Sequence, residues 1–339
     1  MKCNTGINPS ISFFNLYKSN LLKTRGSLFK ELDMTSSIFG DEARKILEEK
    51  LISNNNTPLL GELFPWIIKD LVKADDCITH NISVGWLAIY LYTLFIDEYL
   101  DKPELICPNK FITGSLLAKT GLLKISHFTN NTIYESYVDN ALSYSARNQQ
   151  LDVSFQKDNL PLIFKEQYSE GKNYVILACA GALAAQNNRH AEFITSFSRT
   201  LLLTLQYLDD IADFEEDFYS KNYTVLLNDA FKDNPDFYNN PKFHSKQNLL
   251  SELIESGSLH RSLKKIINLL NESINLIEKY QLSNNSGAFD FFCSISTSCT
   301  ILANLLQPHH NKFKYLPLNE REIILDNVEN HISIIAQSS

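Results

Sequence analysis

The amino-acid sequence predicts an all-α protein, a single large helical bundle, and three observations carry that prediction. Glycine (11) and proline (10) are scarce, together about 6% of the chain against a usual share near 12%, and sheets need the turns these residues make. Apolar residues recur at helical spacing along most of the 339 positions. No internal repeat and no low-complexity linker divides the chain. One bundle of roughly ten or more helices therefore fits better than the two ordinary domains that length alone would suggest.

Composition narrows the function classes. Hydrophobic residues make up 44% and charged residues 21%, as in a folded globular protein. A net charge of −8 and a pI near 5.5 speak against a nucleic-acid surface. The six cysteines (Cys3, Cys77, Cys107, Cys179, Cys293, Cys299) form no C-x-x-C pair, so they read as free thiols in a reducing, cytoplasmic setting. The apolar run Ile82 to Ile96 is 15 residues long, short of the roughly 20 that span a bilayer, and it reads as a core helix rather than a transmembrane segment.

The elements follow in order. Residues 1–30 hold five bases (Lys2, Lys18, Lys23, Arg25, Lys30) and no acid; residues 1–38 read as a basic N-terminal arm, only faintly like a transit segment, and 39–339 as one domain. Asp41 to Leu51 starts with acids, as a helix should, and Asn54 to Pro58 breaks it. Helices are expected over 59–74 and 82–100, the latter apolar on nearly every side and so inside the bundle. Weaker helices are expected over 110–126 and 131–148. The Ala-, Gly- and Cys-rich stretch 173–187 should allow close helix contact, and 190–217 reads as a second core helix. Residues 228–247, polar with Pro235 and Pro241, read as a loop or mobile flap. Helices over 249–283, 287–306 and 318–335 complete the chain.

Both core helices end in acids. The first closes with Asp97-Glu98-Tyr99-Leu100-Asp101, the second with Asp209-Asp210-Ile211-Ala212-Asp213, followed by Glu215, Glu216 and Asp217. Positions i and i+4 share a helix face, so Asp97 aligns with Asp101, and Asp209 with Asp213 and Asp217. Each such like-charge pair costs a helix roughly 0.2–0.5 kcal/mol, and no base stands among them. Magnesium suits such clusters, because it takes hard oxygen ligands and is usually held by one or two carboxylates plus substrate phosphates.

This constellation resembles the class I isoprenoid diphosphate synthase superfamily, the trans-prenyltransferases and related terpene cyclases, over roughly residues 60–230. The segment 97–101 looks like the family's first aspartate-rich motif, with Glu98 in place of the second aspartate. Asn148-Gln149-Gln150-Leu151-Asp152 is similar to GQxxD without its glycine. Glu170-Gly171-Lys172 looks like the segment carrying a diphosphate-binding lysine. Gln206-Tyr207-Leu208-Asp209-Asp210-Ile211-Ala212-Asp213 matches FQxxDDxxD apart from Leu205 at the aromatic position, and Lys221 resembles the lysine that follows it. The family's GKxxRP stretch corresponds to Gly61-Glu62-Leu63-Phe64-Pro65, with neither Lys nor Arg, and its Arg-Arg pair to Lys102-Pro103-Glu104. Glu62 would repel an anionic second substrate.

The resemblance implies an isoprenoid synthase bundle with a central active-site cavity. It implies a magnesium-dependent terpene synthase, a carbon-oxygen lyase ionising a C15 or C20 prenyl diphosphate. A prenyltransferase that adds isopentenyl diphosphate and a non-catalytic partner subunit are the alternatives. Asp97, Asp101, Asp209, Asp210 and Asp213 would be catalytic. Magnesium, three ions in all, would sit on Asp97, Glu98, Asp101, Asp209, Asp213 and Asp217. Lys172, Lys221, Gln206, Gln149, Tyr92 and Arg199 would bind substrate, with Arg147 a weaker candidate. Trp86, Tyr90, Phe95 and Tyr207 could line the cavity, and Tyr92 sits where the family often places a residue limiting chain length. Lys312, Lys314 and Tyr315 lie in a stretch that reads as a surface loop or a lid, and His309 and His310 as surface residues. The family also implies a homodimer, and nothing implies nucleic acid.

Overall fold

A computed structural model of the chain describes residues 9–53, 60–101, 107–158, 167, 171–221, 224–232, 237–282 and 286–336. No strand occurs among them. The expected break at 54–58 and the Lys102-Pro103-Glu104 stretch lie outside the described residues. The chain groups into two compact units: Met1–Leu142 with Val175–Ser198 and Ile277–Phe291, and Ser143–Tyr174 with Arg199–Leu276 and Phe292–Ser339.

The first unit holds α1 (Pro9–Thr35), α2 (Ser37–Ser53), α3 (Leu60–Val72), α4 (Asp76–Asp101), α5 (Pro108–Thr129) and α7 (Ile176–Gln186). It also takes the first part of α6 (Tyr134–Asp158) and of α8 (Ala191–Ala212). The N-terminal residues read as an arm contain α1, whose Phe13, Tyr17, Leu21, Leu28 and Leu32 are all buried. Their spacing of three to four positions puts them on one face, and counting charge alone hides that face. Phe13 stacks on Phe291 with ring centroids 3.9 Å apart. Tyr17 donates its hydroxyl to Asp70 at 3.2 Å, and burial with that carboxylate beside it raises the phenol's pKa well above the usual value, so it stays a donor. Leu28, Leu32, Ala43, Leu47, Leu87, Leu91, Phe95 and Leu117 share one core, formed by α1, α2, α4 and α5. In α7 every residue from Ile176 to Ala184 is buried, as its small side chains predict.

Helix α3 contains Pro65. Proline has no N–H, so the Gly61 carbonyl four residues earlier loses its intrahelical partner. The Trp86 indole N–H of α4 takes that place at 2.7 Å. A break in one helix is thus mended by the neighbour packed on it.

The second unit holds the rest of α8, then α9 (Phe214–Tyr219), α10 (Val225–Ala230), α11 (Lys246–Glu255) and α14 (Leu318–Ala336), with most of α12 (Ser258–Lys279) and α13 (Gly287–Leu306). The helix expected over 249–283 is two helices parted at Gly257, whose φ of +72° is left-handed and favours glycine. Of the expected flap at 228–247, residues 233–236 lie outside the described residues and the remainder is anchored. Phe231, Phe237 and Phe243 are buried; the first two stack at 4.0 Å, and Phe243 meets Phe231 edge-on at 4.8 Å. These aromatics hold a stretch whose polar residues and prolines suggested mobility. The segment Gly287–His309 is long and apolar enough to cross a membrane, and 44% of its apolar window is buried inside the protein.

Candidate active site

Helix α4 positions the first acidic cluster. Ile82, Val84, Trp86, Leu87, Ile89, Leu91 and Phe95 are buried, so packing fixes the helix and delivers Asp97, Glu98 and Asp101 on its last turn. No base lies in that turn, although helix C-termini favour cations. Asp97 is half-buried. Glu98 accepts from the Lys110 ammonium at 2.6 Å, so the carboxylate expected on a metal is committed to an ion pair. Asp101 closes the helix, and its side chain lies outside the described residues. Tyr92 is half-buried and packs against the α4 core, its ring 6.5 Å from Phe95. Trp86 and Phe95 are core residues at 2% exposure each.

In the second unit the acids follow one another along the backbone at the end of α8 and the start of α9. The Asp213 N–H donates to the Asp209 carbonyl and the Asp217 N–H to the Asp213 carbonyl, both at 2.9 Å. These backbone bonds run on across the joint where α8 gives way to α9 at Asp213, whose φ of −105° and ψ of 13° are not helical, although a single helix over 190–217 was expected. Asp209 and Asp213 are exposed and Asp217 is half-buried. Asp210 points the other way and is 2% exposed. It accepts from Gln206 Nε2 at 2.7 Å and from the Val225 N–H at 3.1 Å, capping the first turn of α10. Gln206 in turn accepts from Asn173 Nδ2 at 2.6 Å. Both residues expected to act on substrate or metal here, Gln206 and Asp210, are links in a buried hydrogen-bond chain.

That chain leads to the lysine. Asn173 follows Lys172, whose side chain is half-buried and whose carbonyl accepts from the Ser145 hydroxyl. Gly171 lies against Asn148: a Cβ there would sit 2.3 Å from the Asn148 amide carbon. Three stretches of the resemblance, 148–152, 170–172 and 206–213, are therefore brought together within one unit. Glu170 lies outside the described residues, and Gln149 is half-buried. Lys221 is exposed, adopts a left-handed φ of 57° beyond the end of α9, and reaches Asn239 at 3.4 Å. Arg147 and Arg199 are exposed. Tyr207 is buried, and the Lys265 ammonium lies 5.7 Å from its ring centroid. The 307–317 stretch is tethered: Glu255 accepts from the Lys314 N–H at 3.1 Å and pairs with its ammonium at 3.4 Å. His309 and His310 are half-buried.

Glu62 is also accounted for. Its side chain is 1% exposed and pairs with Arg25 through both carboxylate oxygens, at 2.5 and 2.6 Å. Its charge is cancelled within the protein, so the expected repulsion is muted, and Leu63 and Phe64 beside it are fully buried. Two partners that sequence reading passed over, Arg25 and Lys110, neutralise acids of the motif region. Their signal was present: each base stands on a helix face that is otherwise buried.

The donor set suits magnesium. Among the described residues no three His, Cys, Asp or Glu side chains gather as a preformed metal cage. An ion that keeps its waters and takes one or two carboxylates together with phosphate oxygens needs no such cage. Asp97 in the first unit, and Asp209 and Asp213 in the second, are hard oxygen donors at helix ends and so groups of the right kind.

The chain has the helical fold of the isoprenoid diphosphate synthases. Two solved structures carry that likeness. One is titled geranylgeranyl pyrophosphate synthase, at TM-score 0.60 and 16% identity, over 82% of this chain and 98% of that one. The other is geranylgeranyl pyrophosphate synthase from Lactobacillus brevis, at TM-score 0.62 and 15% identity, over 86% of this chain and 96% of that one. No protein-family model and no curated protein sequence matches the chain.

Proposed function

We propose that this protein is a trans-prenyltransferase of isoprenoid biosynthesis that ionises an allylic prenyl diphosphate and joins it to isopentenyl diphosphate. The observation that carries the reading is the pair of acid clusters, each closing a helix held by core packing, with Asp209 and Asp213 turned outward while Asp210 turns in. The likeness to two structures titled geranylgeranyl pyrophosphate synthase sets this reading ahead of the terpene cyclase that the missing bases at Gly61–Pro65 and Lys102–Glu104 favoured.

Asp97, Asp101, Asp209 and Asp213, supported by Asp217, would hold magnesium, three ions at full loading, which when bound supplies positive charge to the leaving diphosphate. Lys172 and Lys221 make charge-assisted contacts to its oxygens. Asp210 and Gln206 keep the α8 end, Lys172 and the start of α10 in register. Apolar side chains keep water from the allylic cation until it is captured. Exposed free Cys77 and Cys107 suit a reducing, cytoplasmic location.

One observation favours the cyclase as second reading: where the family's prenyltransferases carry bases, this chain carries Glu62, buried and holding Arg25 in an ion pair, so Arg25 is committed to that carboxylate rather than offered to a second diphosphate. One incubation decides. Purified protein with magnesium is given geranyl, farnesyl or geranylgeranyl diphosphate, each with and without isopentenyl diphosphate. A longer diphosphate formed only with the co-substrate supports the prenyltransferase, and a hydrocarbon or alcohol formed without it supports the cyclase. No turnover in any combination refutes both and leaves the partner-subunit reading.

A further inference from the structure

We propose that Lys110 is a positioning residue for the first acidic cluster, holding Glu98 so that Asp97 and Asp101 keep one face of α4 toward the diphosphate; this rests on the proposed function. Lys110 stands in the first turn of α5 and is 7% exposed. Its ammonium lies 2.6 Å from Glu98 and 3.5 Å from Glu49 of α2. A cation is misplaced at a helix N-terminus and an acid at a C-terminus. The first turn of α5 holds no acid and the last turn of α4 no base. Each helix end thus breaks the charge rule for its own dipole, and each is relieved by the other.

A buried ion pair is weak evidence for stability, since apolar residues of similar volume often do as well. The lysine therefore needs a reason beyond holding α5 to α4. On the last turn of α4, Asp97 and Asp101 lie about 40° apart and Glu98 about 100° from Asp97. Without Lys110 the Glu98 carboxylate would lose its partner at a helix end whose dipole also disfavours it, and the last turn of α4 would lose its anchor on α5. With it, Glu98 is fixed into the α4–α5 seam. Rings pack beside the pair: Phe95 meets Phe111 edge-on at 6.4 Å.

The test reads metal affinity as well as turnover. The thermal midpoint of the full chain is followed against magnesium in the presence of inorganic pyrophosphate. Lys110→Met is expected to retain helical circular dichroism but to need about tenfold more magnesium for half the stabilisation, the low end of what is usual for residues that orient a metal site without touching the ion. Turnover should need the same extra magnesium and recover when it is supplied. Lys110→Arg, which keeps the charge, should stay within about threefold of the wild type. A magnesium midpoint for Lys110→Met that is unchanged or lower overturns the proposal, because simple removal of a nearby cation would tighten metal binding. If Lys110→Met does not fold, Lys110→Gln, which also removes the cation, decides by the same rule: a higher magnesium requirement supports positioning, and an unchanged or lower one refutes it. Failure of the underlying reading looks different: the wild type itself would show no stabilisation by magnesium and pyrophosphate, or Asp209→Ala would respond as the wild type does.

Discussion

Replacing Arg25 by alanine leaves the Glu62 carboxylate, 1% exposed, with no counter-ion on the buried face of α3. Two charges about 4 Å apart at an effective dielectric of 20 attract by about 4 kcal/mol, and breaking one side of a buried pair typically costs about 3–5 kcal/mol. At roughly 2–4 °C per kcal/mol for cooperative units of this size, the midpoint should fall by about 10 °C. Glu62→Gln should cost less, because Arg25, with its side chain 17% exposed, can turn its freed guanidinium to water while the glutamine still accepts. Arg25→Met combined with Glu62→Leu should restore or exceed wild-type stability, since neither charge then needs a partner. Urea unfolding followed by circular dichroism, with m values compared, measures all three. Arg25→Ala within about 1 kcal/mol of the wild type, or a double variant as unstable as the sum of the singles, would show that the pair is not the buried unit its geometry describes.

Asp209→Ala or Asp213→Ala should abolish turnover; the melting temperature should be unchanged or raised for Asp209→Ala, which removes an exposed acid from the last turn of α8, and unchanged or slightly lowered for Asp213→Ala, because Asp213 stands at the N-cap of α9, where an acid is favoured. Asp210→Ala should destabilise by about 1–3 kcal/mol, leaving the Val225 N–H and the Gln206 amide without their acceptor; equal melting temperatures for the two classes would refute the division. Trp86→Phe should cost about 1–3 kcal/mol by orphaning the Gly61 carbonyl, and adding Pro65→Ala should return part of it by restoring the intrahelical donor. Burial holds the pKa values of His80, His190 and His260 below the usual imidazole value, with Lys23 and Lys124, Arg189, and Lys264, Arg261 and His310 respectively adding to the effect. The unfolded chain therefore binds more protons, and stability present above about pH 6.5 is lost as the pH falls below it. Melting curves at pH 7.5, 6.5 and 5.5 should show the fall, and changing the three histidines to glutamine should flatten it; an unchanged slope would place the cause elsewhere.

Legibility in the sequence followed the kind of information each feature needs. Helix α4 and the core part of α8 were readable because their signal is local, a run of apolar residues followed by acids, and the observed spans Asp76–Asp101 and Ala191–Ala212 contain it. Helix α1 was hidden because Lys18, Lys23, Arg25 and Lys30 dominate its composition while its buried positions recur every three to four residues. The split at Gly257 was missed because a single left-handed glycine leaves periodicity on both sides intact. The phenylalanines anchoring the described parts of 228–247 are scattered among polar residues and prolines, so composition alone does not show that they pack together. Partners distant in the chain were beyond reach: that Arg25 meets Glu62, or Asn173 meets Gln206, follows from packing rather than from any local pattern.

The two acidic clusters share a feature that their common spacing explains. In a five-residue motif on a helix, positions one and five lie about 40° apart and position two lies about 100° from the first. One face cannot present all three to a single ligand, so the second acid must find its own partner on the neighbouring face. Glu98 finds the Lys110 ammonium, and Asp210 finds the Gln206 amide and the Val225 N–H. The substitution of glutamate at position 98 fits this division: its extra methylene lengthens the reach toward a cation on the next helix, whereas the shorter Asp210 suffices to cap a helix that begins beside it. Shortening the first, Glu98→Asp, should then act like loss of the lysine and not like the gain of a metal ligand, weakening the response to magnesium although the carboxylate itself remains.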